Sequence, residues 1–298
     1  RAAAAAAVTG APVLISGESG TGKELLARII HEQSARSAGL FVPVTCGVLD
    51  DAVMAAELFG SAPAGPIAGP VLGQLHRTAS GTLFLDEVSQ LSDTLQARLA
   101  RALHERSFAA IGSFEARPLE SRLIASTAVD FRDRGAQHRF RSELLYQFGV
   151  QIDLPSLRRR SEDIPVLAAY FLEEMAGRHG RQVTGYTADV LELLRKYDWP
   201  GNVRELRNVI ERAVLLARGP TVTAEDLPTE VLGSPTPLHE QGPDRISLAA
   251  IERRHIRQVW RMTEGHLGET AELLGIHRNT LRRKMEQYGI TNDDARIE

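Results

Sequence analysis

Short apolar runs alternate with helical patterns over the first half of the chain. Five such runs stand at positions 12–16, 41–44, 82–85, 123–126 and 150–154. Each run is nearly continuous in apolar residues, which is typical of parallel strands whose sheet is covered by helices on both faces. The pattern predicts an α/β core over residues 1–155.

Strand patterns end at Pro155, and helical periodicity takes over. Apolar residues recur at helical spacing at 164–178, 188–197 and 203–218. A Trp-Pro-Gly-Asn break at 199–202 precedes the last of these segments. We therefore expect an α-helical lid subdomain over residues 156–232.

A third region follows a linker. Residues 233–243 contain three prolines and no apolar period, so we place a linker at 233–245. An apolar stripe then lies on one helical face between Ser247 and Trp260, a pattern typical of a core or a dimer seam. Two short helical patterns come next, at 266–276 and 277–289. We expect a small all-α domain over 246–298.

The composition is that of a globular protein, because 43% of the 298 residues are hydrophobic and this length can bury more than one core. No apolar run approaches the roughly 20 residues that cross a bilayer, and the Ala-rich start lacks the pattern of a signal peptide. We expect a cytoplasmic protein with no membrane partner. Since the chain does not begin with Met and enters a helix and a buried strand at once, we also expect an input domain upstream of it.

Charge and cysteine content narrow the choice of partners. Residues 245–290 carry nine basic and five acidic side chains, whereas the chain as a whole has a net charge of -3. A basic end on an acidic body indicates nucleic-acid contact, although a solvated helix face can show the same excess. Cys46 is the single cysteine, which excludes a disulfide framework, and its apolar neighbours favour a buried thiol over a nucleophile.

A glycine-rich segment directly follows the first apolar run. It leads into a helical pattern and consists of Gly17, Glu18, Ser19, Gly20, Thr21, Gly22, Lys23 and Glu24. Glycines let backbone amides wrap around a phosphate, the helix N-terminus adds its positive end, and Lys23 reaches the terminal phosphates. We assign these eight residues to ATP binding, against the alternative of a glycine-rich turn without a ligand. Glu24 stands where a Ser or Thr hydroxyl ordinarily meets magnesium.

Two acids end the third apolar run, at Asp86 and Glu87. In a parallel sheet this strand end would lie beside the glycine-rich segment. We expect Asp86 to hold Mg²⁺ through water and Glu87 to orient the attacking water, because phosphoryl transfer depends on positioning and charge neutralisation. The alternative for such a pair is a solvated strand end.

Seven motifs follow one another in a familiar order. They are the loop ending in Lys23-Glu24, Glu57-Leu-Phe-Gly60, the strand with Asp86-Glu87, Phe140-Arg-Ser-Glu-Leu-Leu-Tyr146, Leu154-Pro-Ser-Leu-Arg158, Glu162-Asp-Ile-Pro165 and Trp199-Pro-Gly-Asn-Val-Arg-Glu-Leu206. Together they resemble the central domain of NtrC-type bacterial enhancer-binding proteins, the AAA+ activators of sigma-54 RNA polymerase. The resemblance covers about Val13 to Leu232, and it explains Glu24, since that family carries Glu there.

The resemblance implies roles for three further residues. Arg204 matches the second sensor, a lid arginine that reaches the nucleotide of its own subunit, and Thr127 stands at the first-sensor position. Arg141 matches the first of two arginines that a neighbouring subunit supplies, which implies a homo-oligomeric ring of six or seven chains. For each arginine the alternative is a surface salt bridge.

The chain departs from the family at the loop that contacts the polymerase. That loop usually reads Gly-Ala-Phe-Thr-Gly-Ala, and the nearest equivalent here is Gly65-Pro-Ile-Ala-Gly-Pro70. The Phe and Thr are absent, and the segment up to Gly73 looks shortened. Pro63, Pro66 and Pro70 also fix φ and remove donors, which stiffens a loop that would have to extend and retract.

Three positions that couple the nucleotide to this loop have changed as well. Gln147 replaces the second trans arginine and cannot supply a positive charge. Ala128 replaces the Asn beside the first sensor, and Thr45 replaces the Asn that holds the catalytic Glu in an off position. We expect nucleotide binding to be better preserved than hydrolysis and switching.

The last two helical patterns form a helix-turn-helix whose second helix would enter the major groove. They resemble the Fis-type end that accompanies the NtrC family, and we expect a dimer through this end. The residues assigned to double-stranded DNA are Arg278, Asn279, Thr280, Arg282, Arg283 and Lys284. His277 has no partner His or Cys at ligand spacing, which favours a helix-start residue over a metal ligand.

The sequence thus predicts an ATP-binding, ring-forming transcription regulator that acts on promoter DNA and RNA polymerase holoenzyme. Correlated changes in the contact loop and its coupling residues favour action with a polymerase other than the sigma-54 form, or repression. Sigma-54 activation by ATP hydrolysis is the alternative. A third hypothesis keeps ATP as a ligand that organises the assembly without turnover. An AAA+ unfoldase is disfavoured, because no aromatic-Val-Gly pore loop stands in the sequence.

Overall fold

The computed structural model describes residues 2–62, 71–131 and 140–232, and in the C-terminal part 252–253, 255–257, 259–260, 263 and 265–290. These residues form two compact units, divided between Leu232 and Gly233. The predicted linker at 233–245 and the segment with Pro63, Gly65, Pro66 and Pro70 lie outside the described residues.

The strands and helices of the described residues are numbered in chain order. The strands are β1 (Val13–Ser16), β2 (Phe41–Thr45), β3 (Thr82–Asp86), β4 (Ser107–Ala109), β5 (Ala116–Pro118), β6 (Arg122–Thr127), β7 (Val150–Asp153), β8 (Gly185–Tyr186) and β9 (Thr221–Val222). The α-helices are α1 (Ala2–Thr9), α2 (Lys23–Glu32), α3 (Asp51–Phe59), α4 (Gln74–Arg77), α5 (Asp93–Glu105), α6 (Ser142–Leu145), α7 (Ile164–His179), α8 (Ala188–Lys196), α9 (Asn202–Leu216), α10 (Thr229–Leu232), α11 (Leu267–Leu273) and α12 (Arg278–Tyr288). Short 3₁₀ segments stand at Val88–Gln90, Leu157–Asp163 and Ala224–Asp226.

The five predicted strands form one parallel sheet in the order β2-β3-β6-β1-β7. Ser16 at the end of β1 pairs with Thr127 of β6 and Asp153 of β7, and Thr45 of β2 pairs with Asp86 of β3. The carboxyl ends of all five strands therefore share one edge, which confirms the predicted α/β fold and places its candidate residues together.

Successive residues of the central strands enter different cores, as expected for a sheet covered on both faces. Leu14 of β1 belongs to the larger core with the helices α3 and α5, whereas Val13 and Ile15 belong to the core with α1 and α2. Phe84 of β3 joins the second of these cores. All four side chains are at most 1% exposed, so neither face of the sheet is open to solvent at these positions.

The helical lid has a core of its own, built by α7, α8 and α9. Trp199 is fully buried there, and its Nε1 donates to the carbonyl oxygen of Leu194 at 2.7 Å. Burying an indole with its N–H satisfied stabilises the turn into α9, because a buried unpaired donor would be costly. The predicted helices at 164–178, 188–197 and 203–218 agree with α7, α8 and α9 within two residues at each end.

The C-terminal unit contains α11 and α12, and residues 252–253, 255–257 and 259–260 are also helical. Ile256 and Trp260 pack with Leu281 and Met285 of α12. Ile256 and Trp260 of the apolar stripe predicted upstream of the helix-turn-helix are therefore part of the core of this unit, whereas residues 247–251 of the stripe lie outside the described residues. Among the described residues, no helix combines the length and the apolar character that a bilayer crossing requires.

Candidate nucleotide site and DNA-binding helix

The predicted phosphate-binding segment forms a loop over residues 17–22, between β1 and α2, and continues into the first two residues of α2, Lys23 and Glu24. Its glycines adopt conformations that other residues rarely reach. Gly17, Gly20 and Gly22 have φ values of 148°, 80° and 102°. A Cβ on Gly20 would lie 2.2 Å from the carbonyl oxygen of Gly201 in the lid. Glycine is therefore required both for the left-handed turn and for the close approach of the lid.

Lys23 is the first residue of α2 and is only 6% exposed. Its Nζ donates to the carbonyl oxygens of Gly17 at 2.8 Å and Glu18 at 3.4 Å. It also forms an ion pair with Glu87 Oε1 at 2.9 Å. The cation is thus held over the loop by acceptors that a bound phosphate would replace, and it links the loop to the acidic pair at the end of β3.

Asp86 and Glu87 are joined through Ser126 of β6. The Ser126 hydroxyl donates to Asp86 Oδ1 and accepts the Glu87 backbone N–H at 3.0 Å. Glu87 has a left-handed backbone with φ 55°, and its Oε2 accepts the backbone N–H of Ala128 at 2.8 Å. Glu87 therefore has one carboxylate oxygen on Lys23 and the other on the end of β6.

Two of the three positions that we expect to couple the nucleotide to the polymerase-contacting loop, Ala128 and Thr45, lie beside the Asp86-Glu87 pair. Ala128 contributes only its backbone N–H to Glu87, and Thr45 is exposed beside Asp86 in the sheet.

Three other residues singled out in the sequence lie near the loop or the sheet. The Thr127 hydroxyl at the first-sensor position donates to Ser89 Oγ at 3.0 Å. Glu24 is exposed and pairs with Arg28 one turn later in α2, at 3.3 Å. Cys46 is buried as expected, and burial raises the pKa of its thiol to about 12.

The lid contacts the loop directly at the start of α9. Arg204 donates from its side chain to Ser19 Oγ at 3.1 Å. The backbone N–H groups of Val203 and Arg204 both point to the carbonyl oxygen of Gly20, at 3.0 and 3.3 Å. The lid arginine therefore lies on the loop that we assign to ATP binding.

Arg141 and Gln147 flank the short helix α6. Arg141 forms an ion pair with Glu143 at 3.1 Å, and its backbone N–H donates to Gln96 Oε1 at 2.9 Å. Gln147 Nε2 donates to the carbonyl oxygen of Glu143 at 3.5 Å. Among the described residues, neither side chain forms a hydrogen bond or an ion pair with the loop of its own chain.

The helix α12 presents most of its predicted DNA-binding residues to solvent. Its core-facing residues are Leu281 and Met285, and the exposed side chains include Arg278, Asn279, Arg282 and Arg283. Thr280 is half-buried. His277 starts the helix, because its Nδ1 accepts the backbone N–H of Asn279 at 3.3 Å. Among the described residues, no group of three His, Cys, Asp or Glu side chains could hold a metal ion.

Lys284 differs from the arginines of the same helix. Its Nζ lies 2.6 Å from Glu252 Oε1, and Glu252 Oε2 also accepts the hydroxyl of Tyr288 at 2.6 Å. The cation is therefore bound within its own unit, on the side of the helix that packs against residues 252–260.

Models of three known domain families match consecutive parts of the chain. They are the sigma-54 interaction domain over residues 1–153, the AAA+ ATPase lid domain over 158–243 and the Fis family of bacterial regulatory proteins over 247–288. The chain belongs to the NtrC family. Membership implies a nucleotide-binding domain and a DNA-binding helix-turn-helix.

Relatives within the NtrC family cover nearly the whole chain. The transcriptional regulatory protein ZraR of Klebsiella oxytoca is 42% identical over 93% of this chain, and the regulatory protein AtoC of Escherichia coli is 38% identical over 97% of it. The chain spans 63% and 65% of the length of these two relatives. The crystal structure of NtrX from Brucella abortus in complex with ATP is similar with a TM-score of 0.70 and 32% identity, covering 97% of this chain and 66% of that one.

Sequence reasoning missed a cluster that joins the loop to the lid in this NtrC-family chain. Arg158 donates hydrogen bonds to the carboxylate of Glu18 from both terminal nitrogens of its guanidinium group, one of them at 2.9 Å. The buried Asn202 donates to Glu18 Oε2 at 3.1 Å and to the carbonyl oxygen of Ser19 at 3.0 Å, while its Oδ1 accepts the N–H of Leu157. The hydrogen bond from Arg158 lowers the pKa of Glu18 more than burial raises it. Two of the quoted motifs contain Arg158 and Asn202, but only the folded chain brings them to Glu18.

A cavity of about 510 Å³ opens beside this cluster at the carboxyl edge of the sheet. Its lining includes Gly17, Glu18, Ala128 and Arg158. The cavity adjoins the loop, the end of β6 and the entry to the lid, and its size is in the range of small-molecule sites.

Proposed function

We propose that this chain is the ATP-binding and DNA-binding part of an NtrC-type transcription regulator. The observation that carries the proposal is the convergence of three sites on one loop. Lys23 spans the loop and reaches Glu87 at 2.9 Å, the Asp86-Glu87 pair ends the neighbouring strand, and Arg204 of the lid contacts Ser19 at 3.1 Å. A cytoplasmic location follows from this proposal, because ATP, promoter DNA and polymerase meet there.

Nucleotide binding would begin with an exchange of partners at Lys23. A phosphate entering the loop offers stronger acceptors than the carbonyl oxygens of Gly17 and Glu18, since charge-assisted hydrogen bonds are roughly twice as strong as neutral ones. Lys23 then turns to the terminal phosphates while the amides of residues 17–24 cradle the rest. Arg204, which already contacts the loop, would bind the nucleotide and bring the lid closer to it.

Glu87 would be released by the same exchange. In the structure one carboxylate oxygen of Glu87 forms an ion pair with Lys23. Once Lys23 moves to phosphate, that oxygen would be free to accept a hydrogen bond from a water molecule and to orient this water for attack. The Ala128 N–H would hold the other carboxylate oxygen of Glu87, and the Ser126 hydroxyl would hold the Glu87 backbone N–H.

The acidic pair fits Mg²⁺. Asp86 and Glu87 offer carboxylate oxygens beside the loop, and hard oxygen ligands are those that Mg²⁺ prefers. Asp86 would hold the ion through water. A bound Mg²⁺ would supply charge neutralisation for phosphoryl transfer.

Assembly into a ring of six or seven chains would set the rate of hydrolysis. Arg141 is the cation proposed to reach a neighbouring nucleotide, and it would have to leave Glu143, its partner at 3.1 Å. Gln147 adds no second charge. We therefore expect slow turnover. Glutamine at position 147 also favours the alternative function, in which ATP organises the assembly without being hydrolysed.

The DNA-binding end would act as a dimer in which α12 enters the major groove. Its exposed face carries Asn279 and Arg283 one turn apart, a spacing that aims both side chains in one direction. Arg278, Thr280 and Arg282 stand beside them. The exposure of this cationic face supports contact with double-stranded DNA rather than a role in the core of the unit.

The partner polymerase is proposed from the segment between Ser61 and Val71. These two residues form an antiparallel bridge, and the segment that would contact polymerase stands between them in the sequence, at residues 62–70. It lacks the Phe and Thr of the family and contains three prolines. We propose action with a non-sigma-54 polymerase, or repression, with ATP favouring the oligomer that holds DNA.

Reconstituted transcription tests the proposal. The native promoter is combined with the protein, ATP and either sigma-54 or housekeeping holoenzyme, and open complexes are counted. Stimulation or repression with the housekeeping enzyme, unchanged by a non-hydrolysable ATP analogue, is the expected result. Opening by the sigma-54 enzyme alone, and only with ATP hydrolysis, would reject the proposed partner. Steady-state ATPase measured across protein concentration separates slow hydrolysis from ATP as a ligand only.

A further inference from the structure

A second cleft lies at the opposite edge of the sheet from the nucleotide loop. It has a volume of about 770 Å³ and is bordered by the chain entering β1, β3, β6 and β7. Three arginines line it, at positions 36, 106 and 122, together with Ser121. Glu120 is the one acidic residue among its described lining residues. The cleft is therefore strongly cationic.

Two of these arginines are fixed by backbone carbonyl groups. Arg36 donates from one nitrogen to the carbonyl oxygens of Ala79 at 3.1 Å, Gly81 at 3.4 Å and Glu120 at 2.7 Å. Arg122 is 2% exposed and donates to the carbonyl oxygens of Ala6 and Ala7 at the end of α1. Carbonyl groups orient a guanidinium but do not neutralise it.

The charge of this pair has no counterion within the described residues. No carboxylate there lies within 4.0 Å of the guanidinium nitrogens of Arg36 or Arg122. Burial lowers the pKa of Arg122, and the nearby charge of Arg36 lowers it further. Arg122 Nε and Ser121 Oγ are also buried without a hydrogen-bond partner, although buried polar groups are ordinarily satisfied.

Arg106 supplies a third and more adaptable cation. It ends α5 with a left-handed backbone, φ 53°, and it is exposed. In the described part of the chain its side chain has no hydrogen bond or ion pair. The neighbouring arginine of the same helix, Arg101, is instead paired with Glu105 at 2.7 Å.

We propose that this cleft binds the phosphoryl groups of a polyphosphate, with Arg36, Arg106 and Arg122 as its cations. A multiply charged oxyanion matches several guanidinium groups better than a single carboxylate does, because each oxygen can accept a charge-assisted hydrogen bond. The volume of the cleft exceeds that of one phosphate and accommodates a chain of two or three.

The phosphoryl groups can come from two sources. One is a free polyphosphate or nucleotide in solution. The other is the nucleotide held by a second copy of this chain, since Gln147, which we expect to face a neighbouring subunit, lines the same cleft. The second source rests on the proposed function, whereas the first does not.

The first test measures binding of tripolyphosphate by calorimetry at a protein concentration below assembly. The Lys23→Ala chain serves as the background, so that the nucleotide loop contributes little. If the ligand is free, binding is saturable with one site per chain, and Arg106→Ala weakens it about tenfold or more. Arg101→Ala removes the same charge from the same helix outside the cleft and leaves the affinity unchanged. Arg106→Gly repeats the result with a residue that favours the left-handed backbone.

The second test measures ATP-dependent assembly by sedimentation, with Lys23 intact. If a second copy supplies the phosphoryl groups, separated chains do not bind tripolyphosphate, but Arg106→Ala abolishes assembly with ATP while Arg101→Ala and Arg106→Lys retain it. An Arg106→Ala chain that neither loses tripolyphosphate binding nor loses assembly overturns the inference. Failure of the unaltered chain to bind ATP would instead reject the proposed function, and the tripolyphosphate titration would still decide the cleft.

Discussion

The loop that we propose to bind ATP and the helix α12 that we propose to bind DNA are built in opposite ways. Lys23 of the loop is 6% exposed and is already held by two carbonyl oxygens and Glu87. The arginines at 282 and 283 of α12 are exposed, and within the described residues neither has an acidic partner. Under the proposed function, the loop would bind ATP by exchanging the present partners of Lys23 for phosphate, whereas the helix would offer unpaired charge to DNA.

This difference determines how each element responds to change. A buried and fully satisfied site depends on every member, because removing one leaves the others unpaired. An exposed cationic face loses one screened contact at a time, and its losses depend on salt. We expect all-or-none effects at the loop and graded effects at the helix.

The largest expected effect is at Glu87. Glu87→Ala should lower ATP turnover by up to about 10⁴-fold, the upper range for a general base. ATP affinity should be kept or increased, since Lys23 no longer has a carboxylate to neutralise it. Turnover in excess enzyme and equilibrium binding are measured separately. Glu87→Gln is the matched control for shape, and turnover equal to that of the unaltered chain would remove Glu87 from the mechanism.

At Gln147 the expected change is a gain. Gln147→Arg should raise ATPase activity by about 10³-fold, because a trans arginine stabilises charge in the transition state. The gain should appear only at protein concentrations that allow assembly. Activity is therefore measured across a series of protein concentrations. Gln147→Lys is a control that adds a positive charge without the planar guanidinium group of arginine. No gain at any concentration would show that Arg141 alone sets the rate.

The sequence predicted the fold well because apolar runs report burial directly, as at 82–85, where every residue is buried in β3. It also predicted which loop and which acidic pair would meet, since parallel strands end at one edge. Pairings across long stretches of chain were not predictable. Arg158 meets Glu18 across 140 positions and Asn202 meets it across 184, and no periodicity encodes such contacts. The cleft of arginines 36, 106 and 122 was missed for the same reason.

A smaller effect is expected from removal of the loop cation. Lys23→Ala should weaken ATP binding by about 100-fold, because it deletes charge-assisted contacts in a buried site while the backbone amides of the loop remain. Calorimetry or a fluorescent nucleotide measures the loss. Lys196→Ala on the lid helix α8 is the control, since this exposed lysine pairs with Glu192 on the same helix. Equal losses in both variants would mean that the effect is one of overall charge.

Arg283 of the helix α12 tests the graded response. Arg283→Ala should weaken DNA binding about tenfold and lower the slope of log affinity against log salt by about 1, as expected for one phosphate contact. Binding to the native site and to random DNA is measured over a range of salt. Arg195→Ala, an exposed arginine of the lid, is the control. Loss confined to the native site would assign Arg283 to base recognition instead.

The smallest effect, and the sharpest test of the comparison, is expected at Lys284. This lysine lies on the cationic helix but is paired like Lys23, because Glu252 holds its Nζ at 2.6 Å. Hydrogen bonds from Lys284 and from Tyr288 hold the pKa of Glu252 below its ordinary value of 4.5. The stability from this pair is therefore present above the ordinary pKa and is lost as the pH falls through the lowered one.

Lys284→Ala should accordingly change the salt slope of DNA binding by far less than Arg283→Ala, and should lower the melting temperature of the C-terminal unit at pH 7 more than at pH 3. Glu252→Gln is the complementary variant. It leaves Lys284 without a carboxylate, and the freed ammonium should add a phosphate contact that raises the salt slope by up to about 1. If the ion pair with Glu252 keeps Lys284 away from DNA, Lys284→Ala mainly lowers the melting temperature, whereas Glu252→Gln raises the salt slope. A salt slope that falls by about 1 in Lys284→Ala would instead place this lysine on the DNA backbone despite its partner.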